Sequence, residues 1–136
     1  MLPVVLDGGL IAAYWEVSSE TLIAREEKEL GLEDIDQLID EVEKAQEDGK
    51  YQQAIEILEK ILAIEQREFG PEHQDIADTF NWLGEIYLEQ DIYVQAESSY
   101  LRALEIHEKV LGPNHSDTAT TLYNLALLYD WKSLAS

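Results

Sequence analysis

The stretch YQQAIEILEKILAIEQREFGPEHQDIADTF at residues 51–80 is answered 42 residues later by YVQAESSYLRALEIHEKVLGPNHSDTATTL at residues 93–122. Carried on to Gln90 and Lys132, the alignment pairs forty positions. Thirteen of them are identical: Tyr51, Gln53, Ala54, Leu62, Ile64, Gly70, Pro71, His73, Asp75, Ala77, Thr79, Leu83 and Tyr87 each recur. Unrelated segments would share two or three, since each common residue type makes up roughly 6–9% of usage. The echo is therefore a structural repeat. A period of this size belongs to stacked solenoids, whose units cannot bury their apolar faces alone.

Working outward from the echo, the periodicity is helical, and no alternating strand pattern or hairpin turn interrupts it. From Asp75 to Gln90 the residues Ile76, Ala77, Phe80, Leu83, Gly84, Tyr87 and Leu88 recur at spacings of three and four, which makes one amphipathic helix. After a turn at Gln90-Asp91, a second helix carries Tyr93, Ala96, Tyr100, Ala103, Leu104, Ile106, Val110 and Leu111, and Gly112-Pro113 stops it. Asp75 and Asp117 are expected as N-terminal caps or first-turn acids of the helices that follow each Gly-Pro. Backwards, Ile35, Leu38, Val42 and Ala45 mark a helix from Asp34 to Asp48, and Gly49-Lys50 turns into the helix Tyr51 to Phe69. ETLIAREEKELG at residues 20–31 echoes EKILAIEQREFG at residues 59–70, so the reading begins in a degraded second helix. The expected organisation is an apolar leader over 1–9, that helix over 10–31, helix pairs over 34–69 and 75–111, and a terminal helix over 117–134. That makes about six antiparallel helices in three layers.

Composition narrows the classes of function. The chain has 29 acidic against 9 basic side chains, a net charge of −20 over 136 residues. Such a surface repels nucleic acid and anionic lipid and steers basic partners toward it. There is no cysteine, hence no disulfide or thiolate metal site, a composition compatible with a reducing cytoplasm. The apolar stretch at residues 2–15 has no basic residue before it, is broken by Asp7-Gly8-Gly9 and is too short to span a bilayer, so neither a signal peptide nor a membrane anchor is expected.

Phe80, Leu83, Gly84, Tyr87, Tyr93, Ala96, Tyr100 and Ala103 stand at the spacing of the tetratricopeptide repeat signature. The 42-residue period and the run LGPNHSDTATTLYNLALLY at residues 111–129 resemble the longer variant found in kinesin light chains. Before residue 50 the likeness is weaker, with Glu41, Val42 and Ala45 in place of the usual Leu, Gly and Tyr. The resemblance implies an all-α, right-handed superhelix of antiparallel helix pairs. It also implies a concave face, lined by the first helix of each pair, that binds other proteins, with no catalytic chemistry and no cofactor.

Carried over position by position, that face would present Asp36, Ile39, Glu43, Gln46 and Glu47 from the first pair. The second pair would add Asp78, Asn81, Glu85, Leu88 and Glu89, and the last helix Thr120, Tyr123, Leu127, Asp130 and Trp131. The groove so described is acidic at one end and apolar-aromatic at the other. Glu43 with Glu47, and Glu85 with Glu89, are like charges four apart, each pair costing a few tenths of a kcal/mol in an isolated helix. They occupy equivalent places in successive units, so the four carboxylates are expected on one groove, where a cationic ligand would relieve them. In the last helix Leu122, Leu125, Ala126, Leu128 and Tyr129 are expected to pack inward. Its unconvincingly polar outer side leaves self-association through the chain ends, or a longer repeat array, as the alternative expectation.

No enzyme chemistry is expected. His73 and His115 recur after Gly-Pro, where fixing the turn explains them, and His107 stands alone on a long helix. No two histidines share metal-ligand spacing with a carboxylate, and the acidic runs lack the glycine-centred loop that calcium requires. There is no phosphate-cradling loop, serine elbow or cysteine nucleophile, and no carboxylate pair stands out from the rest. The expected activity is protein binding: an acidic groove docking a basic or amphipathic segment, with Trp131, Tyr123 and Leu127 as apolar anchors. It lacks the basic residues that clamp a C-terminal carboxylate in chaperone-binding relatives and those that suit the acidic cargo of kinesin light chains, so neither partner class is carried over.

Overall fold

Each apolar stripe found in the sequence becomes a helix, and each Gly-Pro or polar pair becomes a break. The computed structural model describes residues 29–135. The leader and nearly all of the expected helix over 10–31 lie outside them, and residues 29–31 are not helical. From Gly31 onward the chain forms one unit. A short 3-10 turn at Leu32–Asp34 leads into α1 (Ile35–Glu47), followed by α2 (Tyr51–Phe69), α3 (Gln74–Glu89), α4 (Tyr93–Val110) and α5 (Ser116–Ala135). There is no strand among the described residues. Consecutive helices pack on one another through short connections, and α3 also touches α5. This is an all-α solenoid.

The turns within the pairs are built alike. Lys50 N–H reaches back to Ala45 C=O at 2.8 Å and Gly49 N–H to Gln46 C=O at 3.1 Å; 42 residues later Ile92 bonds Tyr87 and Asp91 bonds Leu88, both at 2.9 Å. Both turns place one residue in the left-handed region, Gly49 at φ 74° and Asp91 at φ 60°. Aspartate tolerates that region better than most side chains, so the second unit dispenses with glycine.

Between the pairs the chain is capped by histidine. His73 precedes α3, and its Nδ1 accepts the backbone N–H of Asp75 at 3.1 Å; His115 does the same for Asp117 at 3.0 Å. Asp75 and Asp117 are thus first-turn acids, and the capping acceptor is the imidazole. The Phe69 ring stacks on His73 with centroids 4.1 Å apart, holding the imidazole in place.

Two apolar clusters join the layers. Ile76, Ala77, Ala103 and Ile106 pack with Leu62 and Phe80, uniting α2, α3 and α4. Ala96, Tyr100, Leu125 and Leu128 pack with Tyr87, Leu88, Tyr93 and Leu104, uniting α3, α4 and α5. The closest approach is at Gly84, where an added Cβ would stand 2.5 Å from the Tyr100 ring. Tyr100 is buried, so the ring cannot swing away. Ala126, the 42-residue counterpart of Gly84, is exposed and carries its methyl freely.

α5 departs from its expected packing. Leu125 and Leu128 are buried, but Leu122, Ala126 and Tyr129 are exposed. One apolar stripe of α5 meets α4, while the other side meets no further helix among the described residues.

Gly84→Ala is expected to destabilise the protein by about 1–3 kcal/mol, the cost of forcing a group into a packed core, read as a lower urea midpoint. His73→Ala is expected to cost about 1 kcal/mol, whereas His73→Asn, which keeps a capping acceptor, retains most of it.

Candidate functional site

The inner helices α1, α3 and α5 border two hollows floored by the outer helices. The first, of 550 Å³, is walled by Leu32, Ile35, Asp36 and Ile39 on the α1 side and by Asp75, Asp78, Thr79 and Trp82 of α3, with Leu58, Ile61, Glu65 and Phe69 of α2 as its floor. The second, of 460 Å³, is lined by Glu85, Leu88 and Glu89 of α3, Asp91, Tyr100 of α4, and Asn124, Leu127 and Trp131 of α5. Each therefore combines an apolar wall with acidic side chains. Acid and aromatic groups alternate along the face instead of separating to its two ends.

The residues singled out from the sequence are distributed as follows. Asp36, Ile39 and Asp78 line the first hollow, and Glu85, Leu88, Glu89, Leu127 and Trp131 the second. Glu43 and Glu47 are exposed on α1 and line neither. Tyr123, Thr120 and Asp130 are exposed on α5 outside both hollows. Asn81 is half-buried and donates Nδ2–H to Thr121 Oγ1 at 2.8 Å. Gln46 links α1 to α3: its Oε1 accepts the Trp82 indole N–H at 2.9 Å and its Nε2 donates to Glu89 at 2.5 Å.

Electrostatics separate these acids. Partial desolvation pushes the Glu85 carboxyl above its usual range, and the neighbouring Glu89 charge adds to the effect. Asp78 is also raised, because burial outweighs the stabilising bond to His107. Glu65 is the most perturbed. It is only 5% exposed and accepts the Thr79 hydroxyl at 2.6 Å. Burial, helped by Asp75 and Asp78, raises its carboxyl from 4.5 to about 7. When Glu65 is protonated it can donate to Thr79 Oγ1 while Thr79 donates to the Asp75 carbonyl, 3.1 Å away. The ionised form must share one hydroxyl proton between two acceptors.

A polar chain crosses the next layer. His107 is fully buried, with Nδ1 3.0 Å from Thr121 Oγ1 and Nε2 3.2 Å from Asp78 Oδ1. An Nε2–H donated to Asp78 leaves Nδ1 as an acceptor for the Thr121 hydroxyl, whose one proton also faces the Asp117 carbonyl at 3.2 Å and whose oxygen accepts from Asn81. Ligand atoms of Asp78, His107 and Asp117 lie within 4.8 Å of one another, close enough to hold a metal ion. Both imidazole nitrogens already have protein partners, while Asn81, at the end of the chain of bonds, keeps a buried Oδ1 without one among the described residues. Spacing along the sequence did not reveal it, because the three residues come from three helices.

Neither Glu65 nor His107 belongs to the concave-face set that the repeat register implies. The available signal was their position: Leu58, Ile61 and Glu65 share one stripe of α2, so a carboxyl stands where an apolar residue is the rule.

Folding binds a proton at Glu65, so its contribution to stability is full below about pH 4.5 and is lost as pH rises to about 7. Relative to Glu65→Gln, the unmodified protein is expected to lose about 3 kcal/mol of unfolding free energy between pH 4.5 and 8. Parallel urea titrations of the two across that range test this.

Comparison with known proteins agrees with the geometry. A model of the tetratricopeptide repeat matches residues 45–91 and again 75–132, together more than half of the chain. No curated protein matches the chain. Among solved structures, the crystal structure of BtubC (BKLC) from P. vanneervenii is similar, with 25% identity and a TM-score of 0.61 over 67% of this chain and 36% of that one. The chain thus spans about a third of that protein's length. Repeats of this kind mediate protein–protein interaction and scaffolding. Helix pairs at a 42-residue period, the matched repeat model and the structural likeness lead to one conclusion: the chain belongs to the tetratricopeptide repeat family, in its kinesin-light-chain-like form.

Proposed function

We propose that the protein is an interaction module whose inner face docks a basic or amphipathic segment of a partner protein. The observation that carries this reading is that both hollows on that face pair an apolar wall with carboxylates. An amphipathic segment gains from both surfaces, burying its apolar side chains and neutralising the acids. The concave-face set from the sequence (Asp36, Ile39, Glu43, Glu47, Asp78, Asn81, Glu85, Leu88, Glu89, Tyr123, Leu127, Asp130 and Trp131) is the starting map. Those that line a hollow are its strongest members. Asn124 lines the second hollow, and its Nδ2, buried from solvent, has no hydrogen-bond partner among the described residues. The like-charged Glu85 and Glu89 add selectivity: partial desolvation and the Glu89 charge raise the Glu85 carboxyl, and a cation nearby favours its ionised form.

A second reading is favoured by α5. Leu122, Tyr123, Tyr129, Trp131 and Leu134 are all exposed on α5, Tyr123 by 63%, Trp131 by 54% and Leu134 by 82%. Exposed apolar side chains of this kind offer a surface to a second copy of the chain or to a neighbouring segment of a larger assembly.

Capped cationic amphipathic peptides are expected to bind with an affinity that falls as salt rises, since screening shortens the reach of the carboxylates. Trp131→Ala should weaken binding about tenfold or more, as loss of a buried aromatic anchor does, and Glu85→Lys should slow association. Binding that ignores salt and both substitutions would overturn the first reading. For the second, sedimentation at several concentrations should show an oligomer that Tyr129→Glu dissociates; a monomer throughout rejects it.

A further inference from the structure

The 42-residue register places His107 opposite Glu65, Thr121 opposite Thr79, and Asp78 opposite Asp36. In the second unit these positions form a closed slot: the buried imidazole bonds Thr121 on one side and Asp78 on the other, tying α3 to α5. In the first unit only half of the arrangement exists. Glu65 meets Thr79 as His107 meets Thr121, but a carboxyl stands where the next unit has a nitrogen donor. Asp36 has no hydrogen-bond or ion-pair partner among the described residues, nor does the second carboxyl oxygen of Glu65. Instead of a closed slot there is the 550 Å³ hollow, with both residues in its lining.

The missing element is a cation on an apolar stem. We propose that this hollow receives one lysine or arginine side chain of a partner peptide, its stem against Ile35, Ile39 and Trp82 and its head among Asp36, Glu65 and Asp78. It would bridge Glu65 and Asp36, the two groups whose counterparts one unit later, His107 and Asp78, bond each other directly. This rests on the interaction-module reading above and assigns that partner a site. Long basic side chains bury their methylenes against apolar surface while the charged head finds a polar rim, which is the layout of this hollow. A hydrated divalent ion gains nothing from the apolar wall and finds no ring of oxygens. The groups facing Glu65 are Asp75, Asp78 and Thr79 from α3, with Asp36 on the α1 wall. The first two raise its carboxyl together with burial, so a cation that binds there expels the Glu65 proton, and binding tightens as pH rises through about 7.

Each hollow holds one tryptophan, Trp82 in the first and Trp131 in the second, which gives each its own reporter. The ¹⁵N-labelled full chain is titrated with a capped leucine-flanked lysine peptide and with its norleucine analogue, following the indole N–H signals assigned through Trp82→Phe and Trp131→Phe. The lysine peptide is expected to move Trp82 and to bind about tenfold more tightly than the analogue, the effect of one charge contact. Glu65→Gln, which keeps the bond to Thr79, should abolish both that preference and its pH dependence; Asp36→Asn, at an exposed position, should weaken the preference without affecting the fold. A Trp82 signal that stays still, or a preference that survives Glu65→Gln, overturns the proposal. If the lysine peptide moves Trp131 alone, the interaction reading stands and this assignment falls; if it moves neither, both fall.

Discussion

Stacking of helix pairs is the constraint on which the rest of this molecule depends. Each helix is apolar along a stripe and polar elsewhere, so no pair can bury its stripe by itself. Burial is completed only where layers meet, at Ile76, Ala77, Ala103 and Ile106 in one contact and at Ala96, Tyr100, Leu125 and Leu128 in the next. The contact of Gly84 with Tyr100 sets how near α3 and α4 come. Tyr100 also lines the second hollow, so this contact lies beside it.

The same stacking puts polar groups under strain. A residue at the Glu65 or His107 position lies on the buried stripe of an outer helix, between two inner helices, where an uncompensated polar group costs several kcal/mol. The second unit meets this demand with an imidazole that has a partner on each side. The first meets it with a carboxyl that retains its proton near neutral pH and with an open wall beside it. Two units with the same backbone pattern thus offer different surfaces. The carboxyl of Glu65 in place of the imidazole of His107 is one of the differences between them, along with Ile35 for Ala77, Ile39 for Asn81 and Trp82 for Asn124.

Much of the fold was legible from residue spacing. The recurrence of Tyr51 as Tyr93, Gly70 as Gly112 and His73 as His115 marks helix starts, stops and caps, because these features depend on local backbone geometry. The recurrence of His73 and His115 after Gly-Pro implies turn-fixing residues, and their Nδ1 atoms accept the first-turn N–H groups. The candidate site was less legible. Glu43 and Glu47 share a register with Glu85 and Glu89, yet only the second pair lines a hollow. Register determines which way a side chain leaves its helix, while the neighbouring helix determines whether it enters a cavity. Leu122 and Tyr129 likewise follow an apolar period but remain exposed, because an apolar stripe is buried only if another surface meets it.

By itself, then, the sequence determined the repeat, its period, the helix pairs and the acidity of the surface, since all of these follow from local propensity and from counting. The tertiary structure alone decided that Glu65 is buried beside Thr79, that His107 joins Asp78 to Thr121, and that acid and apolar groups share each hollow. Those contacts join residues 14 to 29 positions apart and depend on how closely the helices approach. The physical reason is that ionisation, hydrogen bonding and ligand access depend on the dielectric and the neighbours of a group in three dimensions. No spacing along the chain fixes either.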